Sequence, residues 1–198
     1  MLPNGLENEM YPIMLNIDGR KCVVIGGGAV ALRKANKLRE CGGNVVVISP
    51  EFADGFEGFT TVKKEYDRRD LEGAFVVTAA TNDKELNRQI TADAREMKIL
   101  AYAVDDAEVS DFILPASKTV GDITVAASTN GKYPYLAKRI RDEISDNIAI
   151  YNSILPYLAK ERKKILASGT ADKKGELKSL ITDESIQELQ NKIDNSFK

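Results

Sequence analysis

The sequence predicts an α/β fold, in which a parallel sheet core is followed by a small β-hairpin and a helical C-terminal region. Three apolar runs, at residues 22–25, 45–48 and 74–80, the last interrupted only by Thr78, are typical of strands buried on both faces of a parallel sheet. A glycine-rich turn follows the first run, and a segment with helical spacing of apolar residues connects it to the second. The 198 residues suffice for one such core and a smaller addition.

The composition excludes several classes of function. With 28 basic and 30 acidic residues, the net charge of −2 gives no global attraction to nucleic acid or to a membrane. We find no secretory segment and no run of about 18 apolar residues, which predicts a cytoplasmic protein. Histidine is absent, and Cys22 and Cys41 occupy positions typical of small core residues. We therefore expect two buried free thiols and no permanent metal site.

The glycine-rich turn lies between the first strand and a helix predicted over residues 30–40. Gly26 and Gly28, with Ala31 in the third position, fit the pattern G-x-G-x-x-A. Such glycines can serve merely in a tight turn, but a buried strand before them and a helix after them favour a phosphate-binding role. The sequence therefore predicts a Rossmann-like dinucleotide site, formed here by Gly26, Gly28, Ala29 and Val30.

The segment before the glycine strand is predicted to pair with it. Residues 11–17 are strand-like, and Asp18 with Gly19 is a strong signal for a two-residue hairpin between two apolar runs. We expect the first ten residues to form a loose leader.

The end of the second strand bears on the choice of cofactor. An NAD site usually places an acidic residue there for the adenosine ribose, whereas this chain has Ser49, Pro50 and then Glu51. Either Glu51 holds the ribose from a later position, or Ser49 and backbone groups hold it. No Arg or Lys follows closely to receive a 2′-phosphate, which favours NAD over NADP.

Two further strands reach the same edge of the predicted sheet. The run at residues 74–80 follows a short strand at 60–66, and Asn82 with Glu85 predicts a capping box for a helix through about Met97. A last strand at residues 99–104 ends at Asp105 and Asp106, and Asp105 is either a catalytic carboxylate or caps a turn together with Asp106. The cofactor residues expected here are Thr78, Ala79, Ala80 and Thr81.

The pattern changes after this point. Residues 116–120 and 123–128 predict a hairpin around Gly121 and Asp122, and a helix begins at Pro134 with Leu136, Ile140 and Ile144 along one side. The remainder is helical in pattern, with Pro156 as a boundary or kink and a last helix at residues 185–193. We expect a dinucleotide-binding domain over residues 1–112, a hairpin and helix region over 113–147 and a helical domain over 148–198.

Five ordered segments together resemble the precorrin-2 dehydrogenase family, the type found at the amino terminus of sirohaem synthases. The resemblance covers residues 11–147 and is much more specific than the glycine motif alone. The segments are G-G-G-A-V-A-L-R-K at residues 26–34, A-A-T-N-D at 79–83, A-V-D-D at 103–106, D-F-I-L-P at 111–115 and V-A-A-S-T-N-G-K-Y-P-Y-L-A-K-R-I-R at 125–141.

The resemblance implies an activity and a set of partners. Members oxidise precorrin-2 to sirohydrochlorin with NAD, and some also insert Fe²⁺ or Co²⁺, a step that stays open for this chain. The hairpin region would form a homodimer, and the terminal helices would help to cover the tetrapyrrole. The acid of the family corresponds to Asp105, which would act as a base while NAD accepts a hydride.

The expected substrate contacts lie in the fifth segment. Ser128 and Thr129 are either helix caps or contacts to the carboxylates of the substrate, and the basic residues of this segment are either a solvated face or a carboxylate clamp. Two positions depart from the family, because Tyr102 and Tyr133 stand where Asn and Ser are usual. The residues predicted to bind substrate are Ser128, Thr129, Lys132, Tyr133 and Arg139.

Two other functions remain open on the sequence. One is a non-catalytic module that responds to NAD or carries a tetrapyrrole, and the other is a dehydrogenase for an unrelated small metabolite. The glycine motif is compatible with all three.

Overall fold

The computed structural model describes residues 10–104, 106–146 and 148–196. It divides into two compact units, of which the first ends at Leu114 and the second begins at Pro115. The domain bounds expected at residues 112 and 147 stay predictions.

The first unit is built on a five-stranded parallel sheet. The elements are β1 (Lys21–Ile25), α1 (Ala29–Glu40), β2 (Asn44–Ser49), β3 (Thr60–Lys63), β4 (Val76–Ala79), α2 (Lys84–Glu96) and β5 (Leu100–Ala103). The strands follow the order β3-β2-β1-β4-β5, and each neighbouring pair runs parallel. This arrangement confirms the predicted Rossmann-like α/β core.

Both faces of the central strand β1 are covered, as its unbroken apolar sequence predicts. Val23 and Ile25 belong to a core cluster that includes Ile90 of α2. Cys22 belongs to a second cluster that includes Ala35 of α1. Since successive side chains of a strand point to opposite faces, the two helices cover opposite faces of the sheet.

The strand predicted over residues 11–17 is wrong, because these residues form no strand. Strand β1 lies between β2 and β4 and pairs with both in parallel, so neither of its edges is available for an antiparallel partner. A turn does occur at Asp18 and Gly19, and the Gly19 N–H donates to the carbonyl of Gly42 at 2.9 Å. The hairpin signal therefore marked a turn into the central strand. The leader expected over the first ten residues lies outside the described part, apart from residue 10.

Two smaller expectations also need correction. The N-cap of α2 is Asp83 rather than Asn82, since the Asp83 carboxylate accepts hydrogen bonds from the N–H groups of Glu85 and Leu86 at 2.9 and 3.1 Å. Cys22 is buried as expected, but Cys41 is exposed because it follows the last turn of α1 at the surface.

The second unit begins with the predicted hairpin and continues as helices. Strands β6 (Ala116–Val120) and β7 (Ile123–Ala127) pair antiparallel around Gly121, whose φ of +58° suits glycine. Helix α3 has Pro134 in its first turn, as expected, and packs on the hairpin. Pro156 lies inside α4, so it is not a helix boundary. The helices are α3 (Pro134–Ser145), α4 (Ile148–Ala167), α5 (Lys173–Ser179) and α6 (Asp183–Ser196).

Candidate functional site

The glycine turn at the carboxyl end of β1 is held against the end of β4. Gly26 has a φ of +131°, and a Cβ at this position would collide with the carbonyl group of Ala80. The Gly26 N–H donates to the carbonyl of Ile48, and the Ala80 N–H donates to the carbonyl of Ile25. Gly26 is therefore required by both its backbone conformation and its surroundings.

Gly27 is required for a different reason, which the G-x-G-x-x-A pattern does not include. A Cβ on Gly27 would collide with the carbonyl of Glu51 and the hydroxyl of Ser49. The Ala53 N–H also donates to the Gly27 carbonyl at 2.8 Å, so the loop after β2 lies directly on this residue. Three consecutive glycines were the available signal, and the middle one fits the approach of a protein loop.

Gly28 faces open space. Its φ of −89° is accessible to any residue, and a Cβ built there would meet no atom within 4 Å. It is the N-cap of α1, which has no side-chain cap and no acidic residue in its first turn. The exposed residues Ala29 and Val30 begin the helix. The first N–H groups of α1 and the positive end of the helix dipole therefore border open space, an arrangement suited to anions.

The residues predicted for the adenosine ribose follow β2. Ser49 is buried, whereas Pro50 and Glu51 are exposed. The carbonyl of Glu51 faces Gly27, and its side chain is accessible. The structure thus brings all three residues next to the glycine turn, and both expected ways of holding the ribose remain available.

The loop after β4 is organised by Asn87, which our sequence analysis did not identify. Thr78, Ala79 and Ala80 are buried at the end of the strand, and Thr81 follows in the loop. The Asn87 side chain accepts from the Thr81 N–H at 3.1 Å and from its hydroxyl at 2.7 Å, and donates to its carbonyl at 3.1 Å. A buried amide on the inner side of α2 was the signal that could have identified it.

A shallow cavity opens beside this loop, at the carboxyl edge of the sheet. Its volume is about 150 Å³. It adjoins the end of β4, where ligands bind in open parallel sheets. The lining residues are Thr81, Asn82, Lys84, Asn87 and Asp106.

The predicted acid, Asp105, lies outside the described residues, but the residues on either side of it are anchored. The Val104 N–H donates to the carbonyl of Ala79 at 3.1 Å. The Arg88 guanidinium donates to the Asp106 carboxylate at 3.0 Å, and this hydrogen bond is the main reason why the pKa of Asp106 is lowered. Both neighbours of Asp105 are therefore anchored to the parallel-sheet unit.

That loop also protects the outer edge of the sheet. The Ala101 N–H donates to the Asp111 carboxylate at 2.9 Å, and the Ala103 N–H donates to the Ser110 hydroxyl at 3.0 Å. Arg95 of α2 binds the other oxygen of Asp111 at 3.0 Å. Side chains thus take the place of a further strand along β5.

Tyr102, one of the two departures from the family, is packed between two partners. Its ring stacks on Phe112 at 5.7 Å between centroids, and the Lys34 ammonium lies 4.9 Å from its centroid. The Lys34 ammonium also donates to the Tyr102 hydroxyl at 3.4 Å. Tyr102 therefore links β5 to the helix that begins at the glycine turn.

The predicted substrate residues lie in the second unit, at the start of α3. The Thr129 hydroxyl accepts from the Tyr133 N–H at 3.0 Å, and the Ser128 hydroxyl accepts from the Asn130 N–H at the same distance. Both hydroxyls therefore stabilise the turn before α3. Neither caps the helix, because the N-cap of α3 is Tyr133 and no side chain caps its first turn, so the capping role considered above is wrong. Lys132 and Tyr133 are exposed, and Arg139 forms an ion pair with Glu143 at 2.8 Å.

The described residues contain neither a metal-binding cluster nor a helix that could span a membrane. Within the described residues, no group of three or more Cys, Asp or Glu side chains is arranged to hold a metal ion. No helix in the same part of the chain is both long and apolar enough to cross a bilayer.

Comparison with known proteins identifies the family. A family model described as "Putative NAD(P)-binding" matches residues 13–116, which include the glycine turn and the whole parallel sheet. The chain belongs to this NAD(P)-binding family. Its fold also matches a solved structure described as "SirC, precorrin-2 dehydrogenase", with a TM-score of 0.69, 25% identity, and coverage of 94% of this chain and 100% of the other.

Sirohaem synthases are similar in sequence to this member of the NAD(P)-binding family. The enzyme of Chromobacterium violaceum is 36% identical over 146 residues, which are 71% of this chain and 31% of that protein. The enzyme of Nitrosomonas eutropha is 33% identical over 165 residues, or 79% of this chain and 35% of that protein. The aligned region thus spans about a third of these relatives. Both comparisons confirm the resemblance recognised in the sequence.

Proposed function

We propose that this protein is an NAD-dependent dehydrogenase that oxidises precorrin-2 to sirohydrochlorin in sirohaem biosynthesis. The main support is the open space around Gly28 at the start of α1, which we call the phosphate cradle. The fold that contains it matches the structure described as "SirC, precorrin-2 dehydrogenase" over 94% of this chain and 100% of the other. The sirohaem synthases named above support the same pathway.

NAD fits the residues at the carboxyl edge of the sheet. The backbone at Gly26 and Gly28 and the first turn of α1 at Ala29 and Val30 would hold the pyrophosphate. The ribose would lie by Ser49 or Glu51, and the end of β4 would face the rest of the cofactor. When bound, NAD supplies a hydride acceptor.

Asp105 is proposed as the base. Oxidation of precorrin-2 removes protons as well as a hydride, and a carboxylate at this edge of the sheet is suited to accept a proton. The adjacent carboxylate of Asp106 already accepts a hydrogen bond from Arg88, which weakens it as a base.

The start of α3 is proposed to bind the carboxylates of precorrin-2. Lys132 and Arg139 supply positive charge there, and the hydroxyls of Ser128 and Thr129 supply hydrogen-bond donors. Tyr133, which replaces the usual Ser, is exposed and adds a phenol at the same place.

We also propose that the chain forms a homodimer through the hairpin and α3. Leu136, Ile140 and Ile144 lie at i, i+4 and i+8 along α3 and are 45%, 37% and 49% exposed. An exposed apolar stripe of this kind along a helix is typical of an interface.

Cytoplasmic location stays a prediction, and so does the expectation that neither nucleic acid nor membrane is a partner.

The test is to mix the protein with precorrin-2 and NAD and to follow the absorbance of sirohydrochlorin. We expect turnover in the wild type, and its loss in Asp105→Ala with NADH binding retained. Tight NADH binding without wild-type turnover would instead support the non-catalytic module. Oxidation of another small metabolite in place of precorrin-2 would support the remaining hypothesis, a dehydrogenase for an unrelated small metabolite. Addition of Fe²⁺ or Co²⁺ to sirohydrochlorin tests chelation, and a rate equal to the uncatalysed one would exclude it.

A further inference from the structure

We infer that Asn87 is a positioning residue for dinucleotide binding. It acts through the loop after β4, which it holds in place. This inference rests on the cofactor binding that forms part of the proposed function. Asn87 lies in the first half of α2, is 5% exposed and makes its three described side-chain hydrogen bonds to one residue, Thr81.

The hydrogen bonds of the Asn87 side chain hold the peptide groups on both sides of Thr81. The Asn87 amide oxygen accepts from the Thr81 N–H, while its amide nitrogen donates to the Thr81 carbonyl, so the side chain imitates the pairing of a neighbouring strand. It thereby satisfies backbone groups at the point where β4 stops pairing with β1 and β5. The loop is consequently held in one conformation without a further strand.

The held loop is in direct contact with the glycine turn. Thr81 follows Ala80, and the Ala80 carbonyl occupies the space where any side chain at Gly26 would lie. Because the two turns touch, a shift at Thr81 displaces Ala80 and then Gly26, next to the phosphate cradle. Asn87 also lines the cavity beside the loop, so its loss alters that wall as well.

Asn87 also couples the loop to the start of α2. The Thr81 hydroxyl, which donates to Asn87, accepts from the N–H of the helix cap Asp83 at 3.2 Å. One amide therefore organises the strand end, the loop and the first turn of the helix together.

The test compares Asn87→Leu with Thr91→Val by NADH titration, with NADH fluorescence as the readout. Leu has the same branched arrangement of side-chain heavy atoms as Asn, although it is larger, and it removes all three hydrogen bonds. Thr91 is a matched control, since it is 1% exposed on the same helix but its hydroxyl bonds to the carbonyl of Arg88 within α2. We expect Asn87→Leu to raise the Kd for NADH at least tenfold and Thr91→Val to change it less than twofold.

Melting temperature and substrate kinetics separate positioning from a purely structural role. Positioning predicts a raised KM for NAD with an unchanged KM for precorrin-2, at a melting temperature close to that of Thr91→Val. If Asn87→Leu fails to fold, Asn87→Ala replaces it, because this smaller side chain also removes all three hydrogen bonds and adds neither volume nor charge. A folded variant that binds NADH within twofold of the wild type would overturn the inference.

The outcome stays distinct from that of the proposed function. A wild type that binds NADH without oxidising precorrin-2 would defeat the proposed function, whereas the comparison of Kd values between variants would still decide the role of Asn87.

Discussion

The Arg88 guanidinium lies 3.0 Å from the carboxylate of Asp106, between Nε and Oδ2, and joins α2 to the loop after β5. The pKa of Asp106 is lowered chiefly by this hydrogen bond, so the carboxylate is ionised at neutral pH. Asp106 is thus already engaged as an acceptor, which weakens it as a base. The pair also affects the response of the fold to acid.

The first prediction concerns Asp106→Asn. Because folding lowers the pKa of Asp106, its contribution to stability is present above the unfolded pKa of about 3.9 and is lost as the pH falls through the folded pKa. We expect Asp106→Asn to melt below the wild type at pH 7 and the difference to vanish in strong acid. Circular dichroism melts across this pH range measure it. Asp54→Asn, which removes another surface carboxylate, is the control, and an equal effect of both variants would contradict the prediction.

The second prediction compares the effects of substituting two residues of the glycine turn. Gly26→Ala requires a left-handed backbone and a collision with the Ala80 carbonyl, so we expect a loss of about 3 kcal/mol or more in the free energy of unfolding. Gly28→Ala meets no protein atom, and we expect it to cost no more than about 1 kcal/mol, because Ala is a poorer N-cap than Gly.

The effect of the glycine turn on dinucleotide binding is tested at Gly28. In Gly28→Ala the new methyl group enters the space assigned to the pyrophosphate, so we expect at least tenfold weaker NADH binding in a folded protein. Chemical denaturation and NADH titration on the same samples measure both quantities. Unchanged NADH affinity in Gly28→Ala would place the phosphates elsewhere.

The third prediction tests the corrected cap of α2. Asp83→Ala removes the acceptor for the N–H groups of Glu85 and Leu86, which should cost about 1 kcal/mol of unfolding free energy. Asn82→Ala, one residue earlier, should cost clearly less. Denaturant unfolding of both variants provides the comparison, and the opposite order would restore Asn82 as the cap.

The sequence was most informative where structure depends on neighbouring residues. The run Cys22–Ile25 and the glycines after it identified β1 and the turn, because burial on both faces and a tight turn each leave a local signature. The hairpin around Gly121 was recognised for the same reason. Residues 11–17 show the limit, since their local pattern resembles a strand while the pairing of β1 is decided by distant segments.

The site itself was only partly predictable. Gly27 and Asn87 depend on contacts with Glu51 and Thr81, which become neighbours only through the fold. The spacing of Asn87 with Ile90 and Ala94 indicates the inner side of α2, but the loop that its amide holds is known only from the fold. The choice between Asn82 and Asp83 also requires the backbone, because both residue types are good N-caps.

The last prediction concerns the proposed homodimer. Ile140 lies in the middle of the exposed stripe on α3, so Ile140→Glu would place a charge at the centre of an apolar interface, where an unpaired charge is strongly unfavourable. We expect a dimeric wild type in sedimentation equilibrium and at least tenfold weaker dimerisation in this variant. Ala159→Glu adds the same charge at an exposed position of α4 and should leave dimerisation unchanged. A monomeric wild type at micromolar concentration would refute the dimer, and equal weakening by both variants would move the interface away from α3.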